Sequence, residues 1–311
     1  MNIVDSIADL VGRTPLIELH GLENAYALNG RLLGKAERFN PSGSAKDRIA
    51  LAMLTDAAQR GLLRTGTCIV EPTSGNTGVG LAALGARMGY QVVLTMPDTM
   101  SRERIALLKA YGAKVVLTPG ALGMKGAIAE AERIAAETDA FIPSQFENPE
   151  NPAVHERTTG EEIWSDTDGK VDIFVAGVGT GGTLSGVAHA LKKHNPAVRI
   201  VAVEPAGSPL LSEGRTGAHN LQGIGANFIP ATLDRTMIDE IITVREADAY
   251  AIGRALAACD GLLCGITSGA AAYAALTLLR RAENAGKTVV AFLPDTGERY
   301  LSTKLFEGED A

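Results

Sequence analysis

Between Val171 and Thr183 the chain reads VDIFVAGVGTGGT. A β-branched, apolar run gives way to glycines and threonines, and helical periodicity follows. Near-continuous apolar runs of this length suit strands buried on both faces of a parallel sheet. The same grammar recurs on either side, in Thr67–Glu71 (TCIVE), Gln91–Met96 (QVVLTM), Lys114–Leu117 (KVVL), Arg199–Glu204 (RIVAVE) and Thr288–Leu293 (TVVAFL). Helical patterns lie between these runs. In Leu122–Asp139, Met124, Ile128, Ala131 and Ala135 share one face. In Ala45–Gly61, Ile49, Ala52 and Met53 begin an apolar stripe, and Gly61 stands where a C-cap glycine would. Alternating strands and helices predict an α/β architecture with largely parallel sheets. The stretch Pro143–Pro152 (PSQFENPENP) separates two series of such units and reads as a domain crossing.

The chain has 311 residues, 46% of them hydrophobic and 21% charged, which suits two globular domains and not a disordered chain. The formal net charge of −7 argues against a nucleic-acid partner, which needs a basic footprint. Cys68, Cys259 and Cys264 are too few for a disulfide framework and fit a reducing compartment, so a cytoplasmic location is expected. Cys259 and Cys264 lack zinc-knuckle spacing and a nearby His pair; they read as small core thiols, and no metal is expected. The first residues carry Asp5 and Asp9 and no basic, apolar leader, and no run of about 18 apolar residues is present, so neither a signal peptide nor a membrane span is expected. The end, Glu307-Gly308-Glu309-Asp310-Ala311, reads as a solvated acidic tail.

Chemistry-bearing residues concentrate at helix starts. In Asn40–Arg48 (NPSGSAKDR), Pro41, Ser42 and Gly43 break the chain, Ser44 can cap a helix, and Asp47 completes a capping-box pattern. Lys46 then sits in the first helical turn. There the helix dipole and burial both disfavour its ammonium form, and a neutral lysine can condense with an aldehyde. A solvated surface lysine is the plainer reading of that residue alone. In Thr73–Gly78 (TSGNTG), hydroxyls, an amide and backbone N–H groups at a helix beginning near Thr77 make an anion cradle suited to a carboxylate. An ordinary strand-to-helix turn explains the same residues equally well. In Gly177–Thr183, Gly177, Gly179 and Gly182 satisfy G-x-G-x-x-G, with Glu204 ending the next strand. That spacing fits a dinucleotide such as NAD, and the loop fits a single phosphate equally well. In Cys264–Ala270 (CGITSGA), Ser268 is placed as the N-cap of a helix running from Ala271.

Taken in order, these segments resemble the cysteine synthase family, the O-acetylserine sulfhydrylases among the tryptophan-synthase-β-like pyridoxal-phosphate (PLP) enzymes. The likeness runs from GRTPL at Gly12–Leu16, through NPSGSAKDR, EPTSGNTG, MPDTMSRER, SQFENP, GVGTGGT and QGIGANFIP, to GERYLST at the other end. The resemblance implies two open, twisted, mostly parallel sheet domains of PLP fold type II, with the cofactor in the interdomain cleft. One domain spans residues 36–147 and carries the substrate loop; the other spans 1–35 plus 148–311 and carries the phosphate site. Lys46 matches the catalytic lysine that carries the cofactor and moves the proton at Cα. Asn76 matches a partner of the cofactor's 3′-oxygen. Gly179, Thr180, Gly181, Gly182 and Thr183 match the phosphate cradle, which sets aside the NAD reading. Ser268 matches the partner of the pyridine nitrogen. Thr73, Ser74, Gly75, Asn76, Thr77 and Gln145 match the substrate-carboxylate loop, and Gly225 a backbone contact near the substrate amine.

The implied reaction is β-replacement on O-acetyl-L-serine by sulfide, giving L-cysteine and acetate through an α-aminoacrylate. A neutral Ser268 would keep the ring a moderate electron sink and favour elimination over transamination. A homodimer and a serine acetyltransferase partner are also implied. Some features depart from the family pattern. Asp295 stands where the tail usually has serine, near the expected ring surroundings, and Gly217-Ala218-His219-Asn220 replaces a more usual loop. Arg104 or Arg215 could pair with a phosphate and turn the substrate to O-phosphoserine, although solvated arginines are the plainer reading. Homocysteine as the acceptor, dehydratase chemistry and a non-catalytic scaffold complete the alternatives.

Overall fold

The apolar runs fold as strands because their β-branched residues fill both faces of a sheet. A computed structural model of the chain describes residues 3–73 and 75–307. Among these residues nine strands form: β1 (Leu16–Glu18), β2 (Arg31–Ala36), β3 (Cys68–Pro72), β4 (Gln91–Pro97), β5 (Lys114–Thr118), β6 (Ile173–Gly177), β7 (Arg199–Pro205), β8 (Glu240–Val244) and β9 (Thr288–Leu293). β1, β2 and β8 were not legible in sequence. β1 is very short, and β2 carries Arg31 and Lys35 within its apolar run. Lys35 is fully buried there, bonded to the Thr14 carbonyl and paired with Glu162 at 2.8 Å. No helix among the described residues is long and apolar enough to cross a membrane.

The chain divides into two units. The first comprises Met1–Val11 and Asn40–Glu150. Its sheet runs β3-β4-β5, all parallel, with Val70 beside Val93 and Leu94 beside Val115. Phe141 extends the sheet past β3 through backbone hydrogen bonds to Cys68 and Val70. Leu54, Ile69, Leu81, Leu94 and Leu108 form its core. Each such side chain, fully buried, contributes about 1.5–3 kcal/mol. The second unit comprises Gly12–Phe39 and Asn151–Ala311. Its sheet runs β1-β2-β9-β6-β7-β8, parallel except for β1 against β2. Its core joins β6, β7 and β9 to the apolar helix Ile266–Leu279 through Val175, Val201, Ala291, Ala274 and Leu278.

These limits differ from the expected 36–147 and 1–35 plus 148–311. Residues before Gly12 go with the first unit because Ala8 and Val11 rest on its core. Residues 36–39 go with the second. Ala36 completes β2 opposite Leu293, and buried Glu37 accepts a hydrogen bond from the Thr14 hydroxyl at 2.6 Å. The later change of unit, at Glu150, falls inside Pro143–Pro152. The helix read as Leu122–Asp139 spans Gly123–Thr138, and only part of its expected face is buried: Ala131 and Ala135 pack inward, Met124 and Ile128 do not. Ala127 and Ala131 are buried, whereas Met124 and Ile128 are 42% and 43% exposed, because only the small residues fit against the sheet.

Candidate active site

In the first unit, helix Lys46–Gln59 follows the SGSA turn, with Lys46 as its first residue. The expected capping box does not form. The Asp47 carboxylate turns back and accepts from the backbone N–H and the hydroxyl of Ser42, tying the NPSG turn to the helix. Ser44 Oγ accepts a long, 3.3 Å bond from the Lys46 N–H. At the other end the expected C-cap holds: Gly61 is left-handed (φ +75°) and donates to the Ala58 carbonyl. Lys46 itself is half-buried.

Helix Asn76–Met88 begins one residue earlier than expected, after Gly75. Its Gly80 lies against the first turn of the Lys46 helix. A Cβ there would come within 3.1 Å of Ala50 and 3.2 Å of the Lys46 carbonyl. A side chain at this position would press the two helices apart by a few tenths of an ångström, so glycine favours the close approach. The first turns that carry Lys46 and Asn76 are therefore brought together. Thr73 Oγ1 accepts from the Gly75 N–H at 3.2 Å, shaping the loop, and Ser74 lies outside the described residues. Buried Thr77 donates its hydroxyl to Gln145 Oε1 at 2.6 Å, which joins Gln145 to the loop.

In the second unit, Gly181 (φ +82°) leads into helix Gly182–His194. Thr180 and Thr183 are buried beside its positive N-terminus, and loop N–H groups and hydroxyls in this arrangement suit a phosphate. Three residues that sequence reading missed hold the loop from behind. Asn151 donates to Thr180 Oγ1 at 3.0 Å, Thr232 donates to the Thr180 carbonyl at 2.6 Å, and His155 Nε2 meets Thr183 Oγ1 at 3.1 Å. His155 opens a π-helical turn, His155–Gly160, a rare geometry that favours functional sites. Asn151 lies in Pro143–Pro152, read as a domain crossing, and His155 lies just beyond it, where the sequence reading singled out nothing.

Gly179 abuts the Gly223 carbonyl, and Gly223 lies against Thr267, whose hydroxyl donates to the Gln222 carbonyl at 2.9 Å. This chain of contacts gathers Gly179, the QGIG loop and the start of helix Ile266–Leu279. Gly225 (φ +70°) donates to the Val178 carbonyl, and its own carbonyl accepts from His219 Nε2 at 3.0 Å. Ser268 is not an N-cap as expected; Gly265 is, and Ser268 lies within the first turn. It is fully buried, and among the described residues its Oγ has no hydrogen-bond partner of ordinary geometry, though it bears on the Cys264 thiol. Burial, then the charge of Asp295, pushes the Cys264 thiol up to about 12, so it is inert. Cys259 is exposed, not a core thiol, because it lies on the outer side of helix Glu246–Asp260. Asp295 accepts from the Tyr300 hydroxyl at 2.6 Å and closes against Gly265.

The dinucleotide reading and the Arg215 route to O-phosphoserine lose their support. Glu204, which a dinucleotide would need for its ribose, is spent capping the helix Leu210–Glu213. It accepts from the Leu211 N–H at 2.7 Å and from the Ser212 N–H at 3.0 Å. Arg215 pairs with Glu213 at 2.9 Å on the exposed surface, and Arg104 lies in the first turn of the helix Arg102–Ala110. The residues fit PLP on their own chemistry. The glycine-and-hydroxyl cradle suits a phosphate, the buried Ser268 hydroxyl awaits a polar partner such as a ring nitrogen, and Lys46 supplies the amine.

Comparison with known proteins agrees. Residues 7–295 match the family described as pyridoxal-phosphate dependent enzyme. A cysteine synthase of Staphylococcus aureus strain Mu50 is 52% identical over 308 residues, 99% of this chain and 98% of that protein. Among solved structures, a cysteine synthase from Entamoeba histolytica superposes with a TM-score of 0.96 at 45% identity, covering 100% of this chain and 93% of the other. An O-ureido-L-serine synthase superposes at 0.95 with 45% identity, covering 99% and 96%. The fold, the chemistry of the donor set and full-length likeness converge: the chain belongs to the pyridoxal-phosphate dependent enzymes and, within them, to the cysteine synthase family.

Proposed function

We propose that the chain converts O-acetyl-L-serine and sulfide into L-cysteine and acetate by β-replacement. The observation that carries this reading is the meeting of two helix starts at Gly80, one bearing Lys46 and the other the TSGNTG loop. In this reading the Lys46 amine takes a proton from Cα while the loop holds the α-carboxylate. PLP, when bound, supplies the electron sink for the charge left at Cα. Lys46 would hold the cofactor through its amine and, once free, would take the α-proton. Thr73, Ser74, Gly75, Asn76, Thr77 and Gln145 orient the substrate through its carboxylate, with Asn76 also toward the cofactor's 3′-oxygen. Gly179, Thr180, Gly181, Gly182 and Thr183 hold the phosphate without a cationic side chain, relying on N–H dipoles and hydroxyls. Ser268 serves the ring nitrogen, and Gly225 faces the substrate amine. Closing of the loop over the carboxylate would exclude water from the reacting centre.

The likeness to enzymes named for sulfide or O-acetylserine chemistry supports sulfide as the acceptor. The surface pairing of Arg215 with Glu213 speaks against O-phosphoserine. A cytoplasmic homodimer, open to a serine acetyltransferase, belongs to the same reading. The test mixes the holoenzyme with O-acetylserine, O-phosphoserine or L-serine, without thiol, and follows acetate or phosphate release. Sulfide or homocysteine is then added and the product identified. A burst of acetate stoichiometric with enzyme, followed by cysteine on adding sulfide, is the expected result. Release from O-phosphoserine alone, or cystathionine formation in preference to cysteine, would refute it. Lys46→Ala should abolish the burst.

A further inference from the structure

We infer that Glu71 is a positioning residue for recognition of the substrate α-carboxylate, acting through Gln145 and Thr77. The inference rests on the reading above, which assigns those two residues to the carboxylate loop. Glu71 stands near the end of β3, in the apolar run CIVEP, where an acid is unexpected. Its side chain is 2% exposed. A buried carboxylate is costly and persists where its hydrogen bonds do something that an apolar side chain could not. Among the described residues its hydrogen bonds converge on one turn. It accepts from the Ser144 N–H at 3.1 Å and from the Gln145 N–H at 3.3 Å, and the Gln145 side-chain amide also bears on it.

Those bonds hold an unusual backbone. Ser144 has φ +56°, a left-handed conformation that non-glycine residues seldom adopt. The turn presents Gln145 so that its Oε1 takes the Thr77 hydroxyl at 2.6 Å, with both side chains buried. The relay therefore runs from Glu71 to the Gln145 backbone and amide, and from there to a hydroxyl in the first turn of helix Asn76–Met88. Burial pushes the Glu71 carboxyl up to about 7 against the pull of these amides, so a neutral isostere can occupy the site. Without Glu71, the Gln145 backbone N–H and amide lose the acceptor that they share, and the donors meant for a carboxylate lose their aim.

The test uses the holoenzyme of the wild type, E71Q and E71A. Each is titrated with L-serine, which has an α-amine and an α-carboxylate, and with ethanolamine, which lacks the carboxylate. The change in cofactor absorbance reports binding, so neither a leaving group nor sulfide is needed, and failure of the cysteine assay would leave this comparison intact. E71A should weaken L-serine about tenfold, the loss of roughly one good hydrogen bond, and leave ethanolamine within about twofold. E71Q keeps the shape and one acceptor oxygen and should fall between the two. Equal weakening of both ligands would mark a merely structural role, and no weakening would mark none; either overturns the inference. If E71A does not fold, E71Q decides alone: a serine-to-ethanolamine affinity ratio lowered by about threefold or more supports the relay, and an unchanged ratio refutes it.

Discussion

Replacing Gly182 by alanine should cripple cofactor binding while leaving the rest of its unit folded. Gly182 opens helix Gly182–His194 behind the left-handed Gly181. A Cβ at Gly182 would stand 2.9 Å from Asn151 Nδ2 and deeper still inside the Oδ1 and Cγ atoms. Asn151 is 1% exposed, so its amide has nowhere to go. Its displacement breaks the 3.0 Å bond to Thr180 Oγ1, the hydroxyl that helps form the cradle. A lost hydrogen bond with a buried polar group left stranded costs about 1–3 kcal/mol, and overpacking adds about 1–3 kcal/mol. Alanine recovers about 0.4–1 kcal/mol through the unfolded state. A net loss of about 3 kcal/mol falling on the loop corresponds to roughly a hundredfold weaker PLP binding. Titration of the apoprotein with PLP, followed by absorbance, measures it. The variant N151A/G182A removes the clash and should bind PLP about as well as N151A alone, a strongly non-additive cycle. If G182A bound within about threefold of wild type, or if the two substitutions simply added, the steric reasoning would be refuted.

Other outcomes follow from the same coordinates. The folded-state pKa of Glu71 is raised, from 4.5 to about 7, chiefly by burial. The folded protein therefore binds the extra proton between those values. The stability this group gives is complete below about pH 4.5, declines through the window and is lost above about pH 7, a total of about 3 kcal/mol. Urea unfolding of wild type and E71Q at pH 5 and pH 8 should show the wild type losing about 2.5 kcal/mol relative to the variant, the part of that total lost between these values; a pH-independent difference would exclude it. Removing the unpartnered hydroxyl in S268A should leave the apoprotein's melting temperature unchanged or slightly higher, because a buried polar group is deleted. The stabilisation added by PLP should shrink; a destabilised apoprotein with full stabilisation by PLP would contradict the assignment to the ring nitrogen. Iodoacetamide followed by peptide mass analysis should label exposed Cys259 first and spare Cys264 until unfolding, since burial holds its thiol far above neutral pH. Early labelling of Cys264 would mean that the start of helix Ile266–Leu279 opens readily.

Much of this architecture was legible because local chemistry and tertiary role coincide. The runs at Gln91–Pro97 and Thr288–Leu293 are apolar on both faces, and a parallel sheet is the environment that accepts them. Lys46 could be placed in a first helical turn because NPSG breaks the chain just before it. Where a residue's role depended on a distant partner, the local signal misled. Asp47 had the spacing of a capping box but is claimed by Ser42. Ile128 had helical spacing, yet its helix buries small residues instead. Arg31–Ala36 hid its strand because Lys35 looks solvated until Glu162, far along the chain, neutralises it.

The sequence by itself determined six of the nine strands, the glycine-rich helix starts and the place of Lys46 in a first helical turn, because strand burial and chain breaking act over a few residues. Only the tertiary structure decided what stands behind those loops. Asn151, His155 and Thr232 brace the cradle from positions up to 52 residues away, and Glu71 reaches Ser144 and Gln145 across 73 and 74 residues. Such bonds form between groups that folding brings together, and nothing in the spacing of one sequence encodes which buried donor will meet which acceptor.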